Sequence, residues 1–70
     1  MLIKETVLEW FNHGLRKGSV KTVHNNQGYY EVLSPNVKLL ETDNLLLAEN
    51  EHNRFVNHLL KYDGKIIEER

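Results

Sequence analysis

The chain has 70 residues, 40% of them hydrophobic and 27% charged, with no cysteine and a net charge of −1. That length accommodates one small domain, residues 1–70, which hides only about 60% of its unfolded surface. The missing thiols exclude disulfide staples, thiolate catalysis, iron–sulfur clusters and cysteine zinc sites, and the near-neutral balance excludes nucleic-acid binding through bulk charge alone.

No apolar run approaches the roughly 20 residues needed to span a bilayer. The longest is Leu45-Leu46-Leu47-Ala48. Charges begin at Lys4 and Glu5, so the opening segment does not read as a signal peptide. A cytoplasmic protein without a membrane partner is expected. The charges are mildly uneven. Residues 1–30 carry four basic and two acidic side chains, and residues 31–70 carry five and eight.

In chain order, Ile3, Val7, Trp10 and Phe11 fall at i, i+4, i+7 and i+8, which predicts an N-terminal helix with one apolar stripe. Gly14 or Gly18 would end it. Trp10, the only tryptophan, is expected to anchor the core. Two strands follow, Val20–His24 and Tyr29–Leu33, rich in β-branched and aromatic residues. Asn25-Asn26-Gln27-Gly28 between them tolerates positive φ and predicts a hairpin. Ser34-Pro35-Asn36 ends the second strand. Val37–Glu41 reads as a third strand. Leu45–Glu49 reads as a fourth, or as the start of a helix capped by Thr42 or Asp43. Phe55, Val56, Leu59 and Leu60 predict a helix over 51–62 with Asn50 as its N-cap. Asp63-Gly64 stops it, and Lys65–Glu68 is a short final strand. The fold expected is α+β: an N-terminal helix, a small antiparallel sheet of three to four strands, and a second helix near the C-terminus.

The chemistry carried by these residues is sparse. Histidines 13, 24, 52 and 58 show no i, i+4 pair and no HExxH, so no metal site is expected. Ser19 and Ser34 lack a nucleophile context, and Glu68-Glu69 reads as a solvated tail. Gly14-x-x-x-Gly18 lacks the lysine of a phosphate loop. The chain is therefore expected to be no enzyme, with no catalytic residue, cofactor or metal.

Two binding surfaces are candidates. Arg16, Lys17, Lys21 and His24, with Tyr29 and Tyr30 just after, combine phosphate-binding charge with rings that stack on bases. The other candidate is Leu39, Leu40, Leu45, Leu46 and Leu47. Adjacent leucines break strict alternation, so strands at 37–41 and 45–49 would carry apolar groups on both faces. A protein partner would cover the second face, most simply another copy of the chain. The function expected is a small cytoplasmic binding or regulatory module acting by protein–protein association, including with itself. The alternative is a nucleic-acid-binding domain using Arg16 to Tyr30.

Overall fold

The computed structural model describes residues 1–10, 16–34, 37–62 and 64–70. Five strands and one helix follow in the order β1 (Leu2–Trp10), β2 (Arg16–His24), β3 (Tyr30–Leu33), β4 (Lys38–Thr42), α1 (Leu45–Lys61) and β5 (Gly64–Glu69). The strands form one antiparallel sheet in the order β4-β3-β2-β1-β5.

The expected N-terminal helix is replaced by β1, the sheet gains a fifth strand, and the architecture is mostly β with its described helix in the C-terminal half. The apolar spacing of Ile3, Val7 and Trp10 does fit a helix. The side chains of β1 nevertheless alternate as in a strand: Thr6 and Leu8 bury toward the helix, while Glu5, Val7 and Glu9 lie on the other face. Pairing decides the outcome, because β1 is hydrogen-bonded on both sides, by β2 and by β5. Glu5 and Arg70 exchange backbone bonds of 2.9 and 2.8 Å, which seats the chain end beside the first strand. The expectations for Trp10 as core anchor, for a stop at Gly14, and for Pro35, Asn36 and Asp63 concern positions or side chains outside those described.

The β2–β3 turn forms where the sequence places it. The Asn25 Oδ1 accepts from the Gln27 and Tyr29 backbone N–H groups at 2.9 and 3.0 Å, and Gly28 takes φ +86°. In β4 the register shifts. Val32 faces Leu40 and Leu33 faces Lys38, so Leu39 is an extra residue in the ladder. The bulge lets both Leu39 and Leu40 pack against the core, although they are neighbours in a strand.

Leu45–Glu49 is helical, not a strand, and the N-cap of α1 is Asn44, six residues before the expected Asn50 cap. The reason lies in the connection. Thr42 Oγ1 accepts from the Asn44 N–H at 3.1 Å, and Asn44 Oδ1 accepts from Leu46 and Leu47 at 2.9 and 3.2 Å, which satisfies two orphan donors of the first turn. The 17-residue helix is about 25 Å long. It starts beside Thr42, at the end of the sheet that holds His24 and Tyr30, and stops near Gly64, which faces Trp10 at the opposite end. Gly64 is required there: a Cβ would stand 2.5 Å from the Leu59 carbonyl oxygen of the helix's last turn.

One face of the sheet meets α1. Leu8, Val20, Val32, Ala48 and Val56 form the buried core, with Tyr30, Leu39, Leu40, Phe55 and Leu59 packed around it. Among the described residues, no helix is long and apolar enough to cross a membrane.

Candidate interaction surface

The helix–sheet interface contains a polar group at its centre. His52 is wholly buried, and its ring nitrogens each meet a threonine hydroxyl at 2.9 Å: Nε2 with Thr6 Oγ1 of β1 and Nδ1 with Thr22 Oγ1 of β2. A neutral imidazole has one donor and one acceptor nitrogen, and each hydroxyl can play the complementary role. Burial pushes the imidazole below the usual histidine value. The Lys4 charge acts the same way and Glu69 opposes it. Both threonines are themselves buried, and their satisfaction depends on this ring. His52 therefore ties α1 to the two central strands. Sequence reasoning weighed it only as a metal ligand; its signal is the spacing Ala48-His52-Val56, which repeats every four residues.

The opposite face of the sheet is open and ionic. Glu9 pairs with Lys17 at 3.7 Å, and Glu5 with Lys21 at 3.6 Å and with Arg70 at 3.1 Å. Lys38 bridges Glu31 at 3.0 Å and Glu41 at 2.9 Å. Its ammonium holds the Glu31 carboxyl below the usual carboxylate range, with help from the Asn25 amide. Glu5 is itself buried, so Lys21 and Arg70 compensate its lost hydration, while the more exposed pairs each contribute little stability.

The six residues of the basic and aromatic segment are divided by this arrangement. Lys17 and Lys21 lie on the open face, beside the carboxylates of Glu9 and Glu5. His24 and Tyr30 face each other across β2 and β3, on the helix side, with rings stacked 4.4 Å apart. Tyr29 is exposed beside the β2–β3 turn, and Arg16 opens β2 opposite Trp10. Strand alternation thus separates lysines from aromatics.

The leucines divide differently. Leu39 and Leu40 are half-buried against the core. Leu45, Leu46 and Leu47 occupy the first turn of α1 and are exposed, Leu46 by 64% and Leu47 by 52%. At 100° per residue, the buried positions 48, 52 and 56 point to the sheet, and the opposite line runs through Lys61, between Asn50 and Arg54. Leu46 and Leu47 lie within about 60° of that line at the first turn, whereas Leu60 is turned toward the sheet side. This outer face of α1 is the candidate interaction surface. Among the described residues, no group of acids and histidines is placed to hold a metal ion. Compared with protein families, with curated proteins and with solved structures, the chain finds no match.

Proposed function

We propose that the chain is a small non-enzymatic binding or regulatory module that works by protein–protein association, and that it associates first with a second copy of itself. The observation that carries this is the exposure of Leu46 and Leu47 on the side of α1 turned away from the sheet. Nothing in the folding of one chain requires leucine there, and burying such side chains contributes roughly 1.5–3 kcal/mol each. Small domains with thin cores commonly gain stability in the same way. The ionic face of the sheet supports the placement on α1, since its charges already have partners.

The test is solution mass against concentration by sedimentation. The expected result is a species of twice the 8.3 kDa chain mass at micromolar concentration, dissociating on dilution. A monomer throughout that range would remove the proposal. The nucleic-acid alternative has less support, because Lys17 and Lys21 stand beside carboxylates on the face opposite His24 and Tyr30.

A further inference from the structure

We infer that the bridge from Thr6 through His52 to Thr22 is an acid-sensitive latch: a neutral imidazole joins α1 to β1 and β2, and a proton taken up by the ring releases the helix from the sheet. The latch lies within one chain and does not depend on self-association. Its position gives it control of the seam. Ala48, His52 and Val56 are the buried residues of α1, about one turn apart, so the ring sits midway along the helix's contact with the sheet. Both ring nitrogens meet hydroxyls of residues that are themselves buried, and the ring has no exposed surface. Water therefore reaches it only when α1 parts from β1 and β2.

Proton counting shows why a charged ring does not fit. The neutral ring donates from one nitrogen and accepts at the other, and the two hydroxyls take the complementary roles. The imidazolium donates from both, so the hydroxyl that had been donating loses its acceptor. Among the described residues, no carboxylate is hydrogen-bonded to the ring to offset the charge. From β1, Lys4 reaches the helix side and bonds to Asn53, while Glu5 and Glu9 stand on the other face. From β2, His24 lies on the helix side, stacked on Tyr30, and Lys17 and Lys21 are turned away. Glu31, Lys38 and Glu41 of β3 and β4 form their own ion pairs on the open face. From β5, Glu69 lies opposite Thr6 and so on the helix side, whereas Lys65 and Glu68 lie opposite Glu9 and Val7. On α1 itself, Glu51 is held by Arg54, Glu49 is half-buried, and His58 and Lys61 are more than a turn away. Desolvation, with Lys4 acting the same way, holds the imidazole below the usual histidine value against the pull of Glu69. Leu46 and Leu47 ride on α1, so the candidate interaction surface keeps its place only while the latch is closed.

The test compares the parent chain with His52→Gln, whose amide offers donors and an acceptor but does not titrate. Urea titrations at one protein concentration give the unfolding constant at pH 7.5 and at pH 5.5. For the parent, linkage predicts a constant about tenfold larger at pH 5.5. His52→Gln should change by less than about twofold, and His24→Gln and His58→Gln should keep the parent's rise of about tenfold. The NMR signals of the His52 ring in the folded parent give a second readout that needs no variant to fold. They should remain those of a neutral imidazole at pH 5.5, while amide exchange in residues 48–56, corrected for its intrinsic rate, speeds up about tenfold. An unfolding constant that does not move with pH, a glutamine variant that keeps the parent's rise, or a folded His52 ring that charges with α1 still seated would overturn the latch.

Discussion

Each face of α1 carries one departure from the usual distribution of polarity. Its inner face, otherwise apolar, buries a histidine between Ala48 and Val56, while its outer face, otherwise polar, exposes Leu46 and Leu47. A helix that served only its own core would need neither departure. The inner face pays for its imidazole with two threonine hydroxyls aimed at it from β1 and β2. The outer face has no such compensation within one chain. The contrast separates what holds the fold from what the fold presents.

The largest expected effect is at the inner face. His52→Ala would leave a cavity and two buried hydroxyls without a partner, at a cost of about 3–5 kcal/mol. Total stability for a chain of this length is about 4–10 kcal/mol, so a large unfolded fraction is expected. Urea unfolding at a fixed protein concentration measures this; a loss under about 1 kcal/mol would show that the ring is not the tie described.

Gly64 tests the join between α1 and β5. Gly64→Ala places a methyl group against the Leu59 carbonyl and should cost about 1–3 kcal/mol. An unchanged midpoint would mean that the helix end gives way freely.

Acid probes the inner face without a mutation. Because burial lowers the His52 pKa below 6.5, the unfolded chain takes up the proton first as pH falls. This contribution is complete above about pH 6.5 and is lost below it, by up to about 1.4 kcal/mol per pH unit until the folded value is reached. Glu31 and Glu68, whose carboxyls are lowered by Lys38 and Arg70, lose their contributions only below 4.5. The window between pH 6.5 and 5 therefore belongs to the histidine. A urea midpoint that held steady or rose between pH 7.5 and 5.5 would contradict this.

The same contrast explains what could be read from the sequence. The β2–β3 hairpin was legible because its turn is written locally, in the side chain of Asn25 and the φ of Gly28. The final strand was legible for a similar reason, bounded by Gly64 and rich in isoleucine. β1 was not, because its apolar residues fit both periods and only its neighbours β2 and β5 select the strand. The leucines at 39 and 40 suggested two apolar faces. The bulge at Leu39 turns both toward one core, and register shifts of that kind are set by long-range pairing. The run Leu45-Leu46-Leu47 was read first as a strand, but Asn44 starts a helix there, and the three side chains are exposed on its first turn. His52 was invisible because its partners lie 46 and 30 residues away in sequence.

The smallest expected effect on folding falls on the outer face, and there the central claim is most exposed. Leu46→Glu combined with Leu47→Glu removes no buried contact, so monomer stability should change by no more than about 0.5 kcal/mol per site. Its sedimentation, compared with that of the parent chain at the same micromolar concentration, is the decisive measurement. The account predicts a dimer for the parent and a monomer of unchanged helix content for the variant. A parent already monomeric, or a variant that keeps the parent's mass, would contradict it.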